Sequence, residues 1–559
     1  MSSKISPQTY ILLFFIVNLI QSYFTELAHD EAYYWVYSQH LDWGYFDHPP
    51  AVAVLIAMGY AFLKNELGVR LFIVIANTLT LWFIWKTVEP KRHHLFFLLF
   101  FSCLIAHVGF MAVPDIPLIL CASAFLFFLK KYLEKDTWRL AAILGVIIAA
   151  MGYSKYHGII LLIPALVPNL HLLKRKSFWG MIVVASLLFS PHLYWQYVND
   201  FPTFRFHLFD RSPEDYTLMF VLEYIGGQLL IYGPLVGFLL FYAAWKFEPY
   251  NQFDTTMKWC FYGTFIFFLF SSMKGRVEPN WTVAGIVPLI YLAYFFIEQN
   301  EKLASWSFRL AVPTLILIIV ARLAIALDAV PIKSVQLPKE FHGWKNWAAD
   351  LEKEAGDLPV VFFNNYQRAA KYSFYSGKKS YALNTSVYAG SQYDLLTEEQ
   401  EALQGKKIML VRWGIPHDKE GVWLGGNMDK VRMEIVEDFR FYHRVRIKML
   451  TPVEFLKPNE NAIVQISIEN PTNESIEFKG NNGRAIELRC VVFEKKKSKL
   501  NQLAVENFSI KKLEPQEKIE LTAQLQAPDK EGIYRYRFAI HNGISDERNC
   551  NFQKLEVLE

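Results

Sequence analysis

The sequence predicts a polytopic α-helical membrane domain followed by a soluble α/β unit and a C-terminal β-sandwich. Three observations support this prediction. The chain of 559 residues is 53% hydrophobic and 16% aromatic, more than is usual for a soluble protein. Long apolar runs fill the first part and stop near Asp328. Beyond about residue 444, short alternating runs are separated by turn residues.

Eleven apolar runs in the first part are long enough, or nearly so, to cross a bilayer. They begin near Tyr10, Val69, Leu95, Ile116, Leu140, Tyr156, Phe178, Leu218, Trp259, Trp281 and Phe308. The first run lacks a small-residue cleavage site and therefore predicts a retained helix. We expect residues 1–330 to form a membrane domain of about eleven spans.

The short apolar stretch from Ala51 to Leu63 decides the orientation of that domain. It follows Pro49-Pro50 and is shorter than a span, which favours a juxtamembrane or re-entrant helix. If it does not cross, the basic clusters all fall on one side, as the positive-inside rule requires. The sequence therefore predicts a cytoplasmic N-terminus and extracytoplasmic C-terminal domains.

The loop after the first apolar run is rich in acidic side chains. It holds the carboxylates Glu26, Asp30, Glu31, Asp42 and Asp47 and has no Lys or Arg. Carboxylates beside a membrane usually react or pair with a distant group, which indicates a reactive centre. The alternative is a solvated loop with an interfacial aromatic belt.

Other polar residues are predicted at the same outer ends of the helices. Asp115 stands between two prolines, Lys155 lies between two apolar helices, and His207 precedes Asp210 and Arg211. Taken singly, these have ordinary explanations: a helix cap, an interfacial lysine and a solvated loop. Their shared side favours one functional site.

The tail has a different composition. Residues 331–443 predict a small α/β domain, and residues 444–559 predict an immunoglobulin-like β-sandwich. No phosphate-binding glycine loop, zinc-spaced Cys/His set or serine-hydrolase elbow occurs there. We therefore expect the tail to bind or position other molecules and not to carry out chemistry. Cys490 and Cys550 are either a disulfide pair or two buried thiols.

Acids facing scattered cations suit an anionic lipid substrate with a leaving phosphate. A carboxylate can accept a proton from an attacking group, while cations or a metal stabilise charge on the phosphate. The net charge of +4 is small for this length and gives no indication of nucleic-acid binding.

Five motifs carry a family resemblance. They are Asp30-Glu31-Ala32-Tyr33-Tyr34, Tyr45-Phe46-Asp47-His48-Pro49, Pro114-Asp115, Gly152-Tyr153-Ser154-Lys155, and Lys274-Gly275-Arg276 with Pro279-Asn280-Trp281. In this order they resemble the GT-C membrane glycosyltransferases, nearest to the protein O-mannosyltransferase and lipid A aminoarabinose transferase superfamily. The likeness covers roughly residues 10–328.

The resemblance implies roles for individual residues. In that family the donor is a polyprenyl-phosphate sugar, and transfer inverts the anomeric centre. Asp30 becomes the favoured catalytic base, with Glu31 and Asp115 supporting the acceptor or the geometry. Candidates for binding the donor phosphate are Lys155, Arg211, Lys274, Arg276 and His48.

The resemblance also implies a divalent metal ion, with Asp47 as an acidic ligand and His207 as a second candidate ligand. The chain departs from the aminoarabinose branch at two phosphate-binding positions. Tyr33 stands where that branch commonly has an Arg, and His48 where it has a Lys.

The resulting hypothesis is a glycosyltransferase of the bacterial inner membrane. It would transfer a sugar from a polyprenyl-phosphate donor to a lipid A or lipopolysaccharide sugar, another surface glycan or a protein hydroxyl. The rival hypothesis is a flippase or transporter of lipid-linked sugars. Transporters commonly hold charges near the bilayer midplane and contain internal repeats, and neither feature is found here.

Overall fold

The computed structural model describes residues 5–207, 216–329, 340–386, 388, 390–414, 420–426, 428–494, 502–505 and 508–558. The chain divides into two compact units. One contains Met1–Arg205 and Asp215–His342, and the other contains Phe206–Glu214 and Gly343–Glu559. The predicted α/β and sandwich parts therefore lie in one compact unit.

The first unit is helical throughout its described residues. Its helices are α1 (Pro7–Phe24), α2 (His29–Gln39), α3 (Ala51–Phe62), α4 (Glu66–Val88), α5 (His93–Phe101), α6 (Leu104–His107), α7 (Asp115–Glu134), α8 (Trp138–Ser154), α9 (Ile159–Leu166), α10 (Lys176–Val198), α11 (Pro202–Arg205), α12 (Leu218–Ile231), α13 (Gly237–Lys246), α14 (Gln252–Ser272), α15 (Ile286–Glu298) and α16 (Glu301–Ala326). Short 3₁₀ helices lie at Val108–Phe110, Tyr156–Gly158, Val167–Lys174 and Pro279–Gly285.

The helices of this unit make the protein a multi-pass membrane protein. Among the described residues, six helices are long and apolar enough to cross a membrane, or up to eight if each of two bent pairs is one span. The predicted number was about eleven. Part of the difference arises because α8 and α12 are shorter apolar helices, and the run near Leu95 is broken into α5 and the helix after it, bent by 80°.

Helix α3 has 12 residues, or about 18 Å at 1.5 Å per residue, too short for a hydrocarbon core of about 30 Å. The first turn of α4 lies against the end of α1, because Arg70 Nη1 donates to the carbonyl oxygens of Ser22 and Thr25 at 3.0 and 2.8 Å. The chain thus enters α4 at the end of the bundle where it leaves α1. This geometry agrees with the interpretation of α3 as a helix that does not cross.

Basic residues make contacts at the other ends of these helices. Arg92 pairs with Glu301 at the start of α16, and Lys130 Nζ donates to Thr87 O at 3.3 Å. Arg175 Nη1 donates to Tyr132 O at 2.5 Å. These contacts join the end of α4 to the end of α7, and the end of α7 to the start of α10.

The second unit contains a five-stranded sheet and a β-sandwich. The sheet strands are β1 (Val360–Phe363), β2 (Ser380–Leu383), β3 (Ile408–Arg412), β4 (Val422–Leu424) and β5 (Asp429–Val436), in the order β2-β1-β3-β5-β4. Strands β1, β2 and β3 are parallel, whereas β4 and β5 add in antiparallel fashion. Its helices are α17 (Trp344–Ala355), α18 (Tyr366–Ser376) and α19 (Thr397–Leu403).

The sandwich strands follow in the chain. They are β6 (Arg446–Met449), β7 (Phe455–Leu456), β8 (Asn461–Glu469), β9 (Ile476–Glu477), β10 (Glu487–Glu494), β11 (Gln502–Val505), β12 (Lys512–Leu513), β13 (Lys518–Gln526), β14 (Gly532–His541) and β15 (Gln553–Val557). One sheet has the order β11-β10-β14-β15-β7 and the other β13-β8-β6. Their inward residues form one apolar core, which includes Cys490 and Cys550 as free thiols. The structure therefore contains the thiols and not the disulfide.

The helical part followed by strand-rich domains confirms the predicted fold class. Within the second unit, the sheet and the sandwich are joined by a backbone bridge between Thr385 and Glu547. Ser386 N donates to Asp546 O at 2.7 Å beside that bridge. The buried Arg537 of β14 donates to Ser386 O.

Candidate active site at one end of the helical unit

The acidic loop contains a buried ion pair. Glu31 in the first turn of α2 and Arg70 in the first turns of α4 are both fully buried. Arg70 Nε donates to Glu31 Oε1 at 2.7 Å, and Nη2 donates to Oε2 at 2.5 Å. The backbone N–H groups of Ala28 and Ala112 each donate to the Glu31 carboxylate at 2.8 Å. Both oxygens of this carboxylate are therefore occupied by donors of the protein.

Arg70 also stabilises the bend between α1 and α2, which is 91°. Besides the carbonyls of Ser22 and Thr25, its guanidinium donates to Thr25 Oγ1 at 2.9 Å and to Glu26 O at 2.8 Å. The carbonyl oxygens among these acceptors lie at or just beyond the end of α1, where helix carbonyls have no donor within the helix. The sequence analysis missed Arg70, although an arginine between Val69 and Leu71 in an apolar run was a visible signal.

Asp30 precedes Glu31 and is exposed. Consecutive helical residues point about 100° apart, so a buried Glu31 directs Asp30 away from the core. Both carboxylates lie in the first turn of α2, where the helix dipole favours negative charge. Asp30 therefore satisfies a requirement for a general base: it is exposed, and its helix is fixed by its neighbour.

The chain also returns to this loop from after α16. Glu26 N donates to Phe341 O at 2.9 Å, and His29 N donates to Glu340 Oε1 at 2.5 Å. Residues 340–341 therefore pack beside the start of α2. Sequence reasoning missed this contact because more than 300 residues separate its partners.

The second half of the loop is closed by stacked tyrosines. Tyr37 donates to Asp47 Oδ1, and its ring stacks on Tyr45 with centroids 4.2 Å apart. Tyr45 OH donates to Tyr37 O at 3.0 Å, and Tyr45 N donates to His48 O at 3.1 Å. Asp47 and His48 are partly buried in this closed loop.

A chain of polar contacts ties the same loop to α10. The fully buried His192 contacts Trp43 O through Nδ1 and Tyr156 OH through Nε2, each at 2.6 Å. Thr203 Oγ1 donates to Tyr45 O at 2.9 Å. Asp42 accepts from the ring N–H of Trp195 at 2.7 Å. The loop is thus held at several points and does not resemble a freely solvated loop.

Asp115 and Lys155 form a second buried pair, which the half-buried Asn280 contacts. Lys155 Nζ lies 2.9 Å from Asp115 Oδ1, and Asn280 Nδ2 donates to Asp115 Oδ2 at 3.2 Å. The side chains of Asp115 and Lys155 are only 9% and 8% exposed. Three of the five sequence motifs therefore meet here, and Ala112, which binds Glu31, lies three residues before Asp115.

The pairing changes how two predicted residues can act. Lys155 was predicted to bind the donor phosphate, but Asp115 already neutralises it in a buried pair. Asp115 was predicted to support either the acceptor or the geometry of the site. Its contacts with Lys155 and Asn280 favour the second of these roles. Of the three predicted catalytic residues, only Asp30 is exposed.

Two other predicted phosphate-binding cations lie on the surface of the helical unit. Lys274 and Arg276 are exposed, and Arg276 Nε lies 3.6 Å from Glu278 and 4.0 Å from Glu223. They are only a few residues before Asn280, which contacts Asp115. Arg211 lies outside the described residues.

The predicted metal ligands do not make a complete site. Among the described residues, no three His, Cys, Asp or Glu side chains are grouped so that they could hold a metal ion. Asp47 is engaged by Tyr37, and His207 belongs to the second unit. Metal ions in proteins need more ligands than this pair provides.

Comparisons with known proteins agree with this architecture. The family model for dolichyl-phosphate-mannose-protein mannosyltransferase matches residues 47–195. Lipid A galacturonosyltransferase RgtD of Rhizobium johnstonii is 24% identical over 305 residues, which cover 50% of this chain and 63% of that protein. The chain thus spans less than two thirds of the length of this curated relative.

Two solved structures have a similar fold. ArnT from Cupriavidus metallidurans bound to undecaprenyl phosphate has a TM-score of 0.54 at 14% identity, covering 76% of this chain and 96% of that one. The apo state of ArnT gives a TM-score of 0.52 at 14% identity, covering 72% and 92%. The predicted resemblance to GT-C membrane glycosyltransferases is confirmed.

Proposed function

We propose that this multi-pass protein, which shares its fold with ArnT, is a membrane glycosyltransferase. It takes a sugar from a polyprenyl-phosphate carrier and transfers it to an acceptor outside the cytoplasm, with inversion of the anomeric centre. The observation that carries the proposal is the exposed Asp30 carboxylate, fixed by the buried Glu31–Arg70 pair. The relative RgtD is named as a lipid A enzyme, which favours a lipid A sugar as the acceptor.

Asp30 acts as the general base of an inverting displacement. The acceptor hydroxyl gives its proton to Asp30, and its oxygen forms a bond to the anomeric carbon. The bond between that carbon and the phosphate oxygen breaks, and the carrier phosphate leaves with the electron pair. Exposed cations such as Lys274 and Arg276, and the partly buried His48, stabilise the growing charge on the phosphate.

The proposed location is the bacterial inner membrane, with the Asp30 end of the bundle outside. The basic contacts of Arg92, Lys130 and Arg175 lie towards the opposite helix ends, which the positive-inside rule assigns to the cytoplasm. A carrier lipid and a lipid-anchored acceptor could then meet Asp30 at the membrane surface.

The test is transfer of radiolabelled sugar from a panel of polyprenyl-phosphate sugars by the purified full-length protein in liposomes. Asp30→Asn should lower the rate about 10²- to 10⁴-fold, the usual contribution of a general base. Asp42→Asn is the matched control, since it removes another exposed carboxylate of the loop while keeping an oxygen for Trp195. Transfer by Asp30→Asn at the wild-type rate would remove Asp30 from the mechanism.

Two further arms separate the alternatives. A chelator tests the proposed metal ion at Asp47 and His207: loss of transfer that Mg²⁺ or Mn²⁺ restores would support it. Movement of the intact lipid-linked sugar across the bilayer, without transfer to any acceptor, would replace the enzyme by a flippase.

A further inference from the structure

The second unit contains a cleft of about 400 Å³ beside the sandwich. Its walls are the end of α19, the segment 440–444 and the segment 472–477. This volume lies in the range of small-ligand sites, about 300–1,000 Å³. All the residues that line the cleft belong to the second unit.

The lining groups are mostly polar and nearly balanced in charge. Amide, hydroxyl, guanidinium and carboxylate groups line it: Gln400, Gln404, Thr472, Ser475, Arg440, Arg444, Glu401, Glu474 and Glu477. Arg444 pairs with Glu401 across the cleft wall, and Arg440 Nε pairs with Asp438 at 2.8 Å. The remaining charges on the wall are carboxylates, Glu474 and Glu477.

This composition selects among ligand classes. An anion would meet the carboxylates of Glu474 and of Glu477, which lies 3.6 Å from Lys479 Nζ, whereas the guanidinium groups of the wall already have acidic partners. A metal ion would need a converging ligand group, and none occurs in the described residues. A ligand rich in hydroxyl groups both donates and accepts hydrogen bonds. It can therefore bond to the amide, carboxylate and hydroxyl groups of the wall at the same time.

His443 provides a second, independent observation. Its side chain lines the cleft and is only 7% exposed, yet neither ring nitrogen has a hydrogen-bond partner among the described residues. Nδ1 lies 3.4 Å from Glu547 Oε2, and Nε2 lies 3.9 Å from Asp394 Oδ1. Buried polar atoms normally have partners, so this ring retains unused hydrogen-bonding capacity at the cleft.

We propose that this cleft, defined by α19, residues 440–444 and residues 472–477, binds a saccharide. The inference rests on the proposed function, because the ligand is the sugar portion of the acceptor. The cleft contributes binding to the acceptor and not to the lipid-linked donor.

The test blocks the cleft from an exposed position on its wall. Ser475 is exposed and lines the cleft, so Ser475→Trp should fill it with little effect on folding. Asn473 is exposed two residues away and does not line it, so Asn473→Trp is the matched control. The probe is the deacylated oligosaccharide of lipopolysaccharide, titrated into the full-length protein and followed by calorimetry.

The wild type and Asn473→Trp should bind the oligosaccharide, and Ser475→Trp should bind it at least tenfold more weakly. In transfer assays, Ser475→Trp should raise the KM for the acceptor by a similar factor without changing the KM for the donor. His443→Gln, which keeps polar groups at the cleft, should bind better than His443→Leu.

Absence of binding to the wild type, or equal binding by Ser475→Trp, would overturn the saccharide site. The two proposals fail separately. If the protein binds the oligosaccharide but transfers no sugar, the saccharide site stands and the proposed glycosyltransferase activity is contradicted. If sugar is transferred and Ser475→Trp leaves the KM for the acceptor unchanged, the activity stands and the saccharide site is contradicted.

Discussion

Replacing Arg70 should destabilise the helical unit far more than a surface substitution would. Arg70→Met leaves the Glu31 carboxylate fully buried without its cation. Breaking a buried ion pair in this way costs about 3–5 kcal/mol. The carbonyl oxygens of Thr25 and Glu26 would also lose their donors, so the upper part of that range is expected.

Two further variants separate charge from geometry. Arg70→Lys keeps the charge, but an ammonium group has three donors and no planar fork, so it cannot reproduce the two-point contact with Glu31 and the four other bonds. We expect it to recover less than half of the loss. The double variant Glu31→Gln/Arg70→Met removes both charges and should be more stable than Arg70→Met alone.

The assay is thermal unfolding of the purified protein in detergent, followed by tryptophan fluorescence and by the loss of folded protein on size-exclusion chromatography. Hydrogen exchange of residues 25–35 reports whether the loss is local to the bend between α1 and α2. If Arg70→Met unfolds at the wild-type temperature, or if the double variant is no better than the single one, the pair does not hold the bend.

Three other outcomes follow from the contacts. Arg276→Gln should raise the KM for the polyprenyl-phosphate donor about tenfold, because one hydrogen bond to a charged group is lost. The KM for the acceptor should not change. Equal effects on both KM values would argue against a contact between Arg276 and the donor phosphate. His192→Phe removes the contacts to Trp43 and Tyr156, and hydrogen exchange of residues 40–48 should become faster by about one order of magnitude, since two hydrogen bonds contribute roughly 1–3 kcal/mol. Burial raises the pKa of Glu547 to about 8 from an ordinary value of 4.5. The folded state therefore holds the proton more tightly, and stability is lost as pH rises from about 4.5 to 8, by at most about 1.4 kcal/mol per pH unit. Glu547→Gln should flatten this dependence in hydrogen exchange of the sandwich, after correction for intrinsic rates.

The sequence was informative where one local pattern decided the structure. Long apolar runs gave the helical part, and alternating strands gave the sandwich, because each pattern has a characteristic period. Charge asymmetry predicted that Ala51 to Leu63 does not cross the membrane, and the 12-residue length of α3 agrees with that prediction. All eleven predicted starting points lie within or beside a described helix.

The site was less predictable because its contacts are long-range. The motifs in the sequence placed Asp115, Lys155 and Asn280 on one side of the membrane, but no pattern showed that Lys155 would pair with Asp115. Arg70 lies 39 residues after Glu31. Only the packing of α4 against α1 brings them together, and the breaks within helical runs likewise depend on tertiary contacts.

The two buried groups explain how neighbouring acidic residues can have different roles. Glu31 and Asp30 are consecutive, so a helix that buries one must direct the other elsewhere. The Glu31 carboxylate already accepts hydrogen bonds from Arg70 and from two backbone N–H groups, so its oxygens are not open to a substrate. The same argument applies to Asp115, whose oxygens contact Lys155 and Asn280. Among these three carboxylates Asp30 is the exposed one, and the buried Glu31–Arg70 pair fixes the turn of α2 in which it lies.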